Sequence, residues 1–337
     1  MPITFGVVSG SGTPSSVARV DLGLVALCLR WGLLGLFECG SICGMKSLRW
    51  AVTSTFSFVG LMMVVAMPRF AQRPAAASPL DETTKADWTL VWSDEFDGAD
   101  GSMPDAKKWK FDVGGGGWGN RELEYYTDRA ANAVVRAGKL VITAQREEYT
   151  GADNLTRSYT SARLKTQGLF AQAYGRFVAR IQIPRGRGIW PAFWLLGEDI
   201  ESRGWPQCGE IDVMENIGRE PSTNHGSLHG PGYSGDQDFT SIMHLPGGVK
   251  LADDFHEYAM EWEPGEVRFA MDGRPYAAFR PSQLPPGKKW VFDHPFFILL
   301  NVAVGGDWPG PPDATTEFPQ RMLVDWVRVY KKKEPAK

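Results

Sequence analysis

Cysteine is scarce where it would matter. Of the four in this 337-residue chain, Cys28, Cys39 and Cys43 precede Met45, and only Cys208 follows it. A lone cysteine makes no internal disulfide, so the bulk of the chain is not a disulfide scaffold. With no histidine nearby in sequence, Cys208 reads as a small space-filling residue rather than a catalytic thiol. Clean membrane spans are lacking too. Residues 22–37, LGLVALCLRWGLLGLF, are broken by Arg30 and fall short of the roughly 20 apolar residues a span needs. A basic surplus is missing from the main part of the chain. Residues 1–77 hold six Lys/Arg and two Asp/Glu, a net of +4, and against −3 overall this leaves −7 for the remainder. That sign excludes nucleic acid and anionic membranes as electrostatic partners.

What the N-terminus does have is an export pattern. After Met45 come Lys46 and Arg49, then the apolar run VTSTFSFVGLMMVVAM, then small residues in RFAQRPAAASP. Basic, apolar, small is the order of a secretory signal peptide, with cleavage between about Ala71 and Ala77. Met45 is therefore read as the true start and residues 1–77 as an upstream segment and signal; an anchored N-terminus is the alternative. The expected location is extracellular or periplasmic.

The chain is rich in turn formers and aromatics: 38 Gly, 23 Pro and 12% Phe, Trp and Tyr. From about residue 86 to 332 there is no 20–50-residue repeat, no low-complexity linker and no sustained helical period, so residues 78–337 form one domain. Period-two segments recur instead. GKLVITAQ (138–145), GRFVARIQIP (175–184), FFILLNVAVGG (296–306) and MLVDWVRVY (322–330) read as strands, and EVRFAMDGRPYAAF reads as a hairpin turning at Asp272-Gly273. Short antiparallel strands over this length predict an all-β, two-sheet β-sandwich of jelly-roll, concanavalin-like type, with a concave groove suited to a long uncharged polymer.

The stretch CGEIDVMENIG (208–218) carries three acids, Glu210, Asp212 and Glu215, among apolar neighbours. On a regular strand the first two share a face and the third points away. Carboxylates on a strand inside an apolar core are costly without partners or work. Cleaving a glycosidic bond with retention needs two carboxyls roughly 5–5.5 Å apart, whereas five residues of strand separate their Cα atoms by about 16 Å. A β-bulge at Val213 or Met214 resolves both problems: it returns Glu215 to the common face and shortens the Cα gap to about 13 Å. Asp212, between the two, would bond the nucleophile and help keep a proton on the other acid by like-charge repulsion.

GEIDVMENIG resembles the active-site strand of glycoside hydrolase family 16, and its spacing is that of the laminarinase (endo-β-1,3-glucanase) branch. Similar segments run in family order from 86 to 332: WSDEFDG, GGGWGNRELEYYT, YTSARLKT, GIWPAFWLLG, HGSLHGPGYSG, NVAVGGDWPG and VDWVRVY. The resemblance implies a retaining hydrolase of β-1,3-glucans and perhaps-mixed β-1,3-1,4-glucans, with Glu210 as nucleophile, Asp212 as its assistant and Glu215 as general acid/base. It implies no catalytic cofactor, a β-glucan substrate as the partner and a monomer.

For the groove, Trp190, Ala192 and Trp194 share one strand face by period two. Trp190, Trp308 and Trp118 suit stacking on sugar rings, while Trp194 is balanced between stacking and core. The resemblance further places Asn120 and Arg163 on sugar hydroxyls and His229 beside the acid/base; from the residues alone His229 reads as structural. Trp205 is expected on the cleft wall. A structural Ca²⁺ away from the groove is also implied, held by Asp325 with Glu95 and Gly138, oxygen donors of the kind Ca²⁺ takes; the plainer reading has Asp325 capping a strand edge. A lichenase-like or agarase-like hydrolase and a non-catalytic glucan-recognition module on the same fold are the alternatives, and modules of the last kind lack one or more of the acids kept here.

Overall fold

A computed structural model describes residues 87–235 and 239–333. The readings for Met45, the signal peptide and its cleavage site lie outside the described residues. Among the described residues the strands are β1 (Trp88–Asp94), β2 (Lys110–Asp112), β3 (Glu124–Tyr126), β4 (Ala133–Val135), β5 (Leu140–Thr150), β6 (Thr156–Ser161), β7 (Arg163–Lys165), β8 (Gly175–Gln182) and β9 (Ile189–Gly197). They continue with β10 (Glu210–Glu215), β11 (Thr223–His229), β12 (Phe239–His244), β13 (His256–Glu263), β14 (Glu266–Met271), β15 (Arg274–Phe279), β16 (Phe296–Val304) and β17 (Gln320–Lys332). The α-helix among these residues is one turn, Ile200–Arg203.

The expected sandwich forms. One sheet runs β15-β14-β13-β8-β17-β5-β6-β3, with β1 also on β17 and β4 also on β5; the other runs β12-β11-β10-β9-β16-β7-β2. Pairing is antiparallel throughout except between β3 and β6. Inward residues of both sheets meet in one core: Phe177, Ile181, Met260 and Trp262 from the larger sheet, Phe193, Ile211, Ile298 and Leu300 from the smaller. Burying each such side chain contributes about 1.5–3 kcal/mol. Trp262 is fully buried and sends its indole N–H to the Phe292 carbonyl, so its polar end is not orphaned.

Local chemistry explains several elements. Asp272 and Gly273 have φ of 50° and 70°, the two positive values a tight hairpin turn demands, and they join β14 to β15. β5 starts later than expected because Gly138 and Lys139 stay in the preceding turn, closed by Arg136 N–H to the Lys139 carbonyl. It also runs on to Thr150, because β6 pairs with its far half. β16 is buried at all nine positions. One face lies in the core, and the other (Leu299, Asn301, Ala303) forms the floor of a groove on the outside of the smaller sheet.

Candidate active site

The spacing of the three acids is resolved by a bulge. Against β9, Asp212 pairs with Trp194, Met214 with Phe193 and Glu215 with Ala192, so two residues of β10 oppose one step of β9 at Val213. The ladder to β11 shifts over the same stretch, from Asp212–Ser227 to Glu215–His225. Glu210 pairs with Leu196, four residues along β9 from Ala192, or about 13 Å. All three acids therefore face the groove while Ile211, Val213 and Met214 point to the core and are buried. Gly209 makes the entry possible: its φ is +74°, and a Cβ there would sit 2.8 Å from the Phe296 ring.

The antiparallel register lays side chains in rows across the sheet. One row is Asp112, Arg163, Asn301, Ala192, Glu215 and His225, from β2 to β11. The next is Lys165, Leu299, Trp194, Asp212 and Ser227. The groove over these rows holds about 340 Å³ and is lined by Trp118, Asn120, Glu122, Arg163, Trp190, Trp194, Trp205, Asn301, Ala303 and the three acids.

Each acid has a distinct partner. The Trp190 Nε1–H donates to Glu215 Oε1 at 2.9 Å, and the Trp205 Nε1–H donates to Glu210 Oε2 at 2.9 Å. His229 Nε2 lies 2.9 Å from Asp212 Oδ2 and 3.7 Å from Glu210 Oε1. Burial, then the Asp212 charge, pushes Glu210 up to about 7, opposed by His229 and the Trp205 bond. The same two causes push Glu215 well above the usual carboxylate range. Three carboxyls this close cannot all ionise at once, so protons are retained in the cluster near neutral pH.

His229 is placed differently from the expectation. It stands across from Glu210, on the Glu210–Asp212 side, and the histidine across from Glu215 is His225. His225 Nε2 is 3.0 Å from Glu220 Oε2, and its ring meets Trp308 edge-on at 4.9 Å; Trp308 in turn meets Trp190 at 5.4 Å and 87°. On the opposite wall Arg163 lies between Trp118 and Trp194, 4.8 and 4.7 Å from their rings, with Nε 3.0 Å from Asp112. Trp194 is neither free platform nor full core. Arg163 covers one region of its ring, and its Nε1–H donates to Asn301 Oδ1 at 2.7 Å. Glu122, Asn301 and His225 were missed in the sequence. The only signal for Asn301 was a polar residue inside an otherwise apolar strand.

The calcium set does not assemble. Glu95 is clasped by both Arg328 nitrogens, Nε at 2.9 Å and Nη2 at 2.7 Å. Asp325 faces Arg180 at 2.6 Å and Lys139 at 3.6 Å. With both carboxylates neutralised by cations, the remaining Gly138 carbonyl offers no site, so these donors do not fit a bound Ca²⁺. Cys208 is fully buried beside Leu196 and Phe297, and burial pushes its thiol up to about 12. His256 is tied to Asp272 at 2.7 Å, away from the groove.

Comparison with known proteins follows the geometry. The model of the family described as glycosyl hydrolases family 16 matches residues 121–328. A β-glucanase of Rhodothermus marinus is 45% identical over 264 residues, covering 74% of this chain and 88% of the relative. The laminarinase catalytic domain of Thermotoga maritima MSB8 superimposes with a TM-score of 0.70 at 49% identity, over 74% of this chain and 100% of that one. A non-specific endo-β-1,3(4)-glucanase from family GH16, solved with 1,3-β-D-cellobiosyl-glucose at its active site, gives 0.70 at 36% identity, over 77% of this chain and 100% of that one. With the bulged acid strand, the aromatic walls and this coverage together, the chain belongs to glycoside hydrolase family 16.

Proposed function

We propose that this protein is an endo-β-1,3-glucanase that works by double displacement with net retention. The observation that carries the reading is the Val213 bulge, which turns Glu210, Asp212 and Glu215 into one groove with different partners. In the first step Glu210 attacks the anomeric carbon while Glu215 gives its proton to the departing glycosidic oxygen, leaving a glycosyl ester on Glu210. Glu215, now ionised, takes a proton from water as that water attacks the same carbon, releasing Glu210 and restoring the configuration.

The partners suit these roles. Trp205 donates to Glu210 and favours its ionised, attacking form. Trp190 occupies Glu215 Oε1, so the transferable proton belongs on Oε2. Asp212, paired with His229, adds negative charge between them and helps hold that proton on Glu215. Trp190 and Trp308 supply aromatic surface on the Glu215 side, and Asn120 and Arg163 supply hydrogen-bond donors on the other wall. The basic and apolar segments after Met45 support export of the mature domain.

A mixed-linkage reading has one observation in its favour, the oligosaccharide held by the related non-specific glucanase. The test is to incubate the purified protein with laminarin, lichenan and agarose in turn, following reducing ends and product lengths. Short oligomers from laminarin are expected, and the lichenan lane sets how strict the linkage preference is. Cleavage of agarose alone would move the substrate, and tight laminarin binding without products would return the recognition-module reading.

A further inference from the structure

Two more buried acids sit behind the groove. Glu124, on β3, is fully buried, and Glu122, two residues earlier, is 6% exposed. Among the described residues, no Lys, Arg or His forms an ion pair with either. Their placement follows from the end of a strand. β7 pairs with β16 only as far as Arg163–Asn301, so beyond it the backbone of Val304 needs other partners. Leu123 N–H takes the Val304 carbonyl at 2.8 Å, and Glu124 Oε2 accepts the Val304 N–H at 2.6 Å. Glu122 is then held at the groove's edge and uses both oxygens. Oε1 accepts from Asn120 Nδ2 at 3.1 Å, and Oε2 accepts from the Tyr126 hydroxyl at 3.0 Å. That hydroxyl accepts from Asn301 Nδ2 at 3.2 Å, and Asn301 Oδ1 accepts from Trp194 at 2.7 Å.

We infer that Glu122 is a positioning residue for substrate binding, fixing Asn120 directly and Trp194 through Tyr126 and Asn301, and that Glu124 holds it there by sharing one proton. The inference rests on reading the groove as the glucan site. Its chemistry is that of a buried carboxyl pair: two adjacent carboxylates without a cation retain a proton, and the protonated one donates to the other. Burial and the Glu122 charge both push Glu124 well above the usual carboxylate range. The groups facing the pair are Tyr126 on β3, itself pushed up by burial and by both acids, and Arg163 on β7. A glutamine at 124 keeps the donor toward Glu122 and the acceptor for Val304 N–H. A glutamine at 122 presents an amide nitrogen to one of two donors and breaks the chain there.

The experiment compares the parent with Glu122→Gln, Glu124→Gln, Glu124→Ala and Tyr126→Phe, measuring laminarin kcat and KM alongside thermal stability across pH. Glu122→Gln is expected to raise KM about tenfold with kcat within about twofold, since a buried donor is left without an acceptor. Tyr126→Phe, which interrupts the same chain without adding an amide, should raise KM in the same direction and stands in if Glu122→Gln does not fold. Glu124→Gln should match the parent in KM, whereas Glu124→Ala should not. The parent's stability should fall as pH rises from 4.5, the ordinary value, toward the raised one, because the folded state holds a proton the unfolded state gives up. That decline should be reduced in Glu124→Gln, and this arm reads the shared proton even if laminarin is not the substrate. A parent-like KM in both Glu122→Gln and Tyr126→Phe would overturn the positioning role. An unchanged pH decline in Glu124→Gln would overturn the shared proton.

Discussion

Removing the single indole N–H that reaches Glu210 tests the electrostatics of the site most directly. In Trp205→Phe the ring is largely kept, but the 2.9 Å bond to Glu210 Oε2 is lost. A hydrogen bond to a charged acceptor contributes about 1.5–3 kcal/mol. Trp205 is 48% exposed, so solvent screening reduces this to about 1 kcal/mol. The bond favours the ionised carboxylate, so its loss raises the pKa of Glu210 further from about 7. At 1.36 kcal/mol per pH unit, the acid limb of kcat/KM should move up by about 0.7 in pH. The alkaline limb, set by proton loss from Glu215, should stay in place because Trp190 is untouched. The assay is kcat/KM for laminarin against pH in parent and variant. An acid limb that does not move, or that moves down, would refute the assignment of Glu210 as the group that must ionise.

Glu210→Ala should abolish laminarin turnover by reducing-end assay, while Asp212→Asn should leave measurable activity, because Asp212 forms no bond to the sugar in the proposed scheme. Trp308→Ala removes edge-to-face contacts with His225 and Trp190 and a face of the groove. At about 0.5–1.5 kcal/mol for each aromatic contact, KM should rise about tenfold. Chelation should leave the melting temperature within about 1 °C of the untreated protein, since Asp325 and Glu95 are already neutralised by Arg180, Lys139 and Arg328; a drop of several degrees restored by Ca²⁺ would reopen that site.

What the sequence made legible was local. The odd interval between Asp212 and Glu215 demanded an extra residue, and the bulge is where parity required it. Asp272-Gly273 named its own turn. What it hid depended on cross-strand register, which no local pattern encodes. His229 and His225 both lie on β11, and only the pairing shows that the first faces Glu210 and the second faces Glu215. Trp205 was expected on the cleft wall, but its bond to Glu210 follows from how the loop before β10 folds back. Glu122 looked like one charge among several in GNRELEYYT, and its burial depends on β7 ending early. The calcium reading failed for a related reason: arginines and lysine from β8, β17 and the turn before β5 converge on the two carboxylates.

The bulge at Val213 also bears on how the chain finds its fold. Slipping β10 by one residue against β9 would drive Glu210, Asp212 and Glu215 among Phe193, Ile298 and Met260, and would turn Ile211 and Val213 out to water. Burying even one unpaired carboxylate costs several kcal/mol, enough to exclude the slipped pairing at equilibrium. The same acids that are proposed to break a glycosidic bond thus act as a registration mark for the central strand, selecting one alignment among near-isosteric competitors before any substrate arrives.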